Sequence, residues 1–218
     1  MFNFAILSLI CLGAAVLGIG AHSVLFSPRG KGPFWMAIRA VREIPALIPG
    51  WDQSIVIWLI RLASLAAIGS FGALFLTGFG PAFLGLRLAG YLLIAHVTCA
   101  PVFVVSVTFL ILVRTKANAF VRANAEPVLA FLKVPVQEPL QPGDTGLVAK
   151  GCFWAIAVLA LPLVLSSVLS MFPLFGTTGQ QMLFEAHRWC ALAVTCLVLV
   201  HAYATVRRRV TRDIVVHG

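Results

Sequence analysis

The chain has 218 residues, of which 61% are hydrophobic and only 11% charged, with a net charge of +9. A soluble globular domain carries about 25% charged residues, so that class is excluded. The excess positive charge lies in segments between apolar runs, which marks it as a topology and lipid-surface signal rather than a nucleic-acid footprint.

Five apolar runs reach the roughly 20 residues a helix needs to cross a bilayer: Phe4–Leu25, Ile55–Gly78, Leu88–Val113, Cys152–Phe172 and Ala186–Val206. All five read as helices, because a lone span in lipid must satisfy its own backbone hydrogen bonds. The short alternating segments of a β-barrel do not occur. The first run has no basic segment before it and is longer than a signal-peptide core, so it reads as a retained helix. Inside the runs only Arg61 and Arg188 are charged. Each stands near its run's start, from where its head can snorkel to the interface.

The basic residues orient the chain. Arg29, Lys31, Arg39 and Arg42 follow the first run, Arg114, Lys116, Arg122, Lys133 and Lys150 follow the third, and Arg207, Arg208, Arg209 and Arg212 follow the fifth. The loops Phe79–Arg87 and Pro173–Glu185 are nearly uncharged. The basic segments are therefore expected in the cytoplasm and the amino terminus outside. The expected division is an added N-terminal helix (1–27), a cytoplasmic loop (28–52), a four-helix membrane domain (53–206) and a basic tail (207–218). The stretch Ala117–Asp144 reads as a mixed loop, helical over Ala117–Ala125 before Pro127 intervenes.

Two histidines, His187 and His201, stand fourteen residues apart in the last run. That is roughly 21 Å of helix rise and nearly four turns, so both leave nearly one face. Ionisable residues in a membrane helix are costly and usually face the bundle interior. His96 lies roughly 27 Å above Arg114 and His187 roughly 30 Å above Arg207, depths that match within a turn. Two neutral imidazoles are the axial ligands of a six-coordinate, electron-transferring haem. Arg87 and Arg188, at the same rim, suit haem propionates or simple interfacial anchoring. None of the five cysteines forms a CxxC or CxxCH pattern, so such a haem would be b-type. Cys99 and Cys190 each follow a histidine by three residues and read as small packing residues. No phosphate loop, repeat or nucleophile triad is present, and no substrate chemistry of the chain's own is identified.

The last two runs resemble the membrane cytochrome b subunit of formate dehydrogenases. More broadly they resemble the bacterial cytochrome b561 group, which also serves nickel–iron hydrogenases and thiosulfate reductases. The resemblance rests on Lys150-x-x-Phe153-Trp154 opening the fourth run, Pro173 closing it, His187 fourteen residues before His201, and Ala202-Tyr203 after it. It implies a four-helix haem-binding bundle, so that with the first run as one added N-terminal helix the expected fold is all-α integral membrane with five transmembrane helices. It also implies two b haems, the outer one on His96 and His187 and the inner one on His201 and a histidine of the bundle's first helix.

Two departures follow. The family's Arg-x-x-His reads Arg61-Leu62-Ala63-Ser64, and its Asn-x-Gly-Gln-Lys approach, part of its quinone pocket, reads Gly146-Leu147-Val148-Ala149-Lys150. His22 lies roughly 10 Å from the cytoplasmic boundary, close to the depth of His201, and is the candidate replacement ligand. Without it the chain holds a single haem, with His201 bonded to quinone or lipid or left vestigial. His217, in the polar tail, reads as solvated and without a role. The expected function is to carry electrons in the bacterial inner membrane, between an iron–sulfur or multihaem subunit on the outer face and a quinone. A haem-free anchor or assembly subunit is the alternative. A small transporter is a third reading, but it calls for intramembrane carboxylates, and no Asp or Glu lies inside any run.

Overall fold

In a computed structural model of the chain, the structure describes residues 4–25, 54–120 and 146–217, with isolated positions 38–39, 41–42, 44 and 48. Most of the loop 28–52, residues 121–145 and the side chains of the basic tail from 209 lie outside the described residues, and the readings made there lie outside them too. Within the described residues all regular structure is helical: α1 (Phe4–Leu25), α2 (Ile55–Phe83), α3 (Gly90–Arg114), α4 (Leu147–Ser170) and α5 (Gly176–His217). Each has a segment long and apolar enough to cross a membrane.

α1 has the bounds of its apolar run, whereas α2 and α5 outrun theirs. α2 begins at the Ser54 cap, whose side chain accepts a hydrogen bond from the Ile57 N–H, and continues through Pro81 to Phe83. α5 takes in Gln180, Gln181 and Glu185 at its start and the basic residues after Val206 at its end. An apolar run measures the bilayer crossing, whereas a formed helix propagates through polar residues of good helix propensity. His217 is accordingly the last residue of α5.

The shorter element differs from its reading. The stretch Ala117–Ala125 is, within the described residues, a 3₁₀ turn at Lys116–Asn118 followed by an extended Ala119. The Asn118 and Ala119 carbonyls, which a helix would use internally, instead accept from the Trp154 indole N–H (2.9 Å) and the Lys150 ammonium (3.0 Å) of α4.

Two helix pairs, α2 with α3 and α4 with α5, make the most extensive interfaces. α1 packs on α5 and on α2, and α3 meets α4 more sparingly, so neighbours in sequence are neighbours in space around the bundle. α1 is seated through Phe4, which packs with Phe79 of α2 and Leu192 of α5. Trp189 meets the Phe4 ring edge-on at 5.2 Å, and the Arg188 guanidinium lies 4.0 Å over it. Large apolar side chains such as Tyr91, Leu25, Leu76 and Leu112 are widely exposed, as an outer surface facing lipid tails requires.

Candidate functional site

His96 stands near the start of α3 and His187 three turns into α5. Short connections join α2 to α3 and α4 to α5, so both histidines lie towards the same end of the bundle. Their rings approach edge-on, with centroids 6.4 Å apart and an interplanar angle of 73°. A metal–imidazole bond of about 2 Å puts each ring centre roughly 3 Å from the metal. Two rings on opposite sides of one ion then lie roughly 6 Å apart. The observed spacing fits a pair of axial ligands. Among the described residues no three His, Cys, Asp or Glu side chains gather. A haem iron asks for only two axial protein ligands.

The proton positions on these rings follow from their partners. His187 Nδ1 lies 3.3 Å from the Leu163 carbonyl of α4. A carbonyl only accepts, so Nδ1 carries the hydrogen and Nε2 keeps its lone pair. His96 Nδ1 lies 2.9 Å from the Thr77 hydroxyl of α2. The same hydroxyl lies 2.7 Å from the Ala73 carbonyl and 3.4 Å from the Leu74 carbonyl of its own helix; with its one hydrogen given there it accepts from His96 Nδ1–H and leaves the Nε2 lone pair free. Beside it Gly78 leaves room for the ring, since a Cβ there would come within 3.2 Å of His96 Cε1.

The far end of α5 repeats half of this arrangement. His201 Nδ1 donates to the Ala149 carbonyl of α4 at 3.0 Å. Fourteen residues separate Ala149 from Leu163, as fourteen separate His187 from His201, so the antiparallel register of α4 and α5 supplies both carbonyls. His22 lies on another face. Its Nδ1 is 2.8 Å from the Tyr203 hydroxyl, and an Arg207 nitrogen is 3.2 Å from its Nε2. The same Arg207 nitrogen is 3.4 Å from Nδ1; arginine only donates, so His22 is the acceptor in that contact. Tyr203 is two residues beyond His201, about 200° around the helix, so α1 docks on a different side of α5. Ser64, at the family's ligand position, donates to the Ile60 carbonyl of its own helix at 2.7 Å.

The remaining sequence candidates differ in their surroundings. Arg188 pairs with Glu185 at 2.8 Å besides covering Phe4, whereas Arg87 is exposed in the α2–α3 connection. The Lys-x-x-Phe-Trp box fastens α4 to the end of α3: Lys150 is buried with 3% exposure, and Phe153 packs edge-on against Trp154.

The model of one protein family, prokaryotic cytochrome b561, matches residues 58–218. The chain belongs to that family. Membership makes it a b-type haem protein of membrane electron transfer and a multi-pass membrane protein. The matched range holds nearly all of α2 and all of α3, α4 and α5, and leaves α1 out. Neither a curated relative nor a solved structure matches the chain.

Sequence reading missed Thr77 and Gly78, although a signal for them was present. Thr77 and His96 are equidistant from the middle of the α2–α3 connection, so folding that hairpin at its centre sets them opposite each other. Tyr203 was noted only as part of a signature, and its contact with α1 could not be read from spacing.

Proposed function

We propose that this cytochrome carries a b haem axially held by His96 and His187. We propose further that it moves electrons between an iron–sulfur or multihaem partner subunit on the outer face and the quinone pool of the bacterial inner membrane. The observation that carries the reading is the 6.4 Å ring pair, with each Nδ1 engaged by an acceptor so that Nε2 is the ligating nitrogen. Haem bound there supplies one-electron chemistry. The chain's own residues hold it, fix the imidazole tautomers and surround it with apolar helix. Thr77 and the Leu163 carbonyl keep both axial nitrogens unprotonated. The orientation rests on the basic loops, with the amino terminus outside and the tail in the cytoplasm.

A second haem on His201 and His22 is the further reading. His201 favours it by holding the same ligand-ready tautomer on the Ala149 carbonyl. His22 would have to exchange Arg207 for iron to complete the pair. With a single haem, the quinone would draw its electrons directly from the His96–His187 centre. The deciding experiment is a pyridine haemochrome count per chain on purified wild type, His187→Ala, His201→Ala and His22→Ala. One haem in wild type, lost with His187 and kept without His22, supports the single-haem form. Two haems in wild type with one lost in His22→Ala establishes the second reading. A wild-type chain with no haem leaves the haem-free anchor.

A further inference from the structure

Thr77 is part of no sequence motif, yet every feature of its surroundings directs it at His96. It is buried, it lies on α2 while the histidine lies on α3, and its oxygen is 2.9 Å from Nδ1. A threonine hydroxyl has one hydrogen, and with the Ala73 carbonyl at 2.7 Å and the Leu74 carbonyl at 3.4 Å we assign that hydrogen to its own helix. It therefore meets the imidazole with lone pairs only. Four residues further on, Pro81 has no N–H to offer the Thr77 carbonyl. The neighbouring Gly78 is the position where a side-chain carbon would press on His96 Cε1.

We propose that Thr77 is a positioning residue for the axial histidine. Its hydroxyl accepts the Nδ1 hydrogen of His96, sets the tautomer and the ring plane, and makes the imidazole a stronger electron donor to the metal. Gly78 supplies the space in which that ring orientation is possible. The inference rests on the haem reading above and names the residue that tunes one of its two ligands. The other ligand, His187, has a backbone carbonyl in the same role, which no substitution can remove. The tunable half of the pair is therefore the Thr77 half.

The consequence has a sign. An acceptor on Nδ1–H gives the ring partial imidazolate character, which favours the oxidised metal. Thr77→Val keeps the shape and deletes the acceptor, so the reduced haem should gain. The test is a redox titration of purified protein with the ferric low-spin electron paramagnetic resonance spectrum and the haem count. The component followed is the one that disappears in His187→Ala.

In Thr77→Val, haem content should stay at the wild-type value. The reduced-to-oxidised ratio at fixed potential should rise about tenfold, which is about 59 mV for a one-electron couple, and the low-spin signal should shift. Thr77→Ser should restore both. Gly78→Ala should shift the signal by turning the ring while leaving the hydroxyl in place. Should Thr77→Val fail to accumulate, Thr77→Cys, close in size and a weaker acceptor, must move the potential the same way by less.

A fully loaded Thr77→Val, or Thr77→Cys in its place, with wild-type potential and signal overturns the assignment of Thr77 alone. A wild-type protein without a low-spin b-type spectrum overturns the haem reading beneath it.

Discussion

At one end of α5, His187 leans on the Leu163 carbonyl and meets a second imidazole, His96, brought by α3. At the other end His201 leans on Ala149 in the same way. There the family's ligand position holds Ser64, bonded to its own helix, and His22 is engaged by Tyr203 and Arg207. The α4–α5 pair is thus a repeated scaffold that engages a histidine Nδ1 with a backbone carbonyl twice, fourteen residues apart, and it does not by itself make a site. What completes the first end is the α2–α3 hairpin, which delivers His96 with its hydroxyl acceptor and its glycine. At the second end the added helix α1 brings His22, which meets Tyr203 and Arg207 of α5.

Substitutions at the two ends should therefore differ sharply. The largest effect is expected for His96→Ala or His187→Ala. Either removes a proposed haem ligand and should abolish the low-spin b-type spectrum of that centre, read in reduced-minus-oxidised optical difference spectra. A retained wild-type spectrum in either would dissolve the distinction between the ends.

Next in size is Lys150→Met, which should lower stability by about 1.5–3 kcal/mol through loss of a charged hydrogen bond to a carbonyl. Thermal unfolding in detergent measures it, and the haem spectrum should persist in the folded fraction. His22→Ala should cost about 1 kcal/mol by releasing Tyr203 and Arg207, with haem content unchanged. Loss of one haem per chain would instead make the second end a site like the first. The smallest effect is expected for Trp154→Phe, which removes only the indole N–H given to Asn118 and should cost about 0.5–1.5 kcal/mol. A drop in haem content there would show that the clamp between α3 and α4 shapes a cofactor pocket.

Five helices were legible from the apolar runs, because lipid imposes a length and a composition on anything that crosses it. The ends of α5 were not, since Gln180, Glu185 and the arginines after Val206 extend it beyond any lipid requirement. That His96 and His187 stand at one height was readable from depth, because rise per residue is a fixed quantity in a helix, and the structure sets their rings 6.4 Å apart. Depth could not decide His22. It matches His201 in height, and only the packing of α1 shows which side of α5 it meets. The Lys-x-x-Phe-Trp box was read as a family mark, and its work in holding the end of α3 depends on a chain reversal that no local pattern records.

The central claim is that the two histidines of α5 are unequal, and a paired spectrum tests it most directly. Haem per chain and the reduced b-type α band would be measured on His187→Ala and His201→Ala purified side by side. Loss of the wild-type low-spin band in His187→Ala, with the band kept at full intensity in His201→Ala, is the predicted result. A His187→Ala protein that keeps that band and its haem would contradict it.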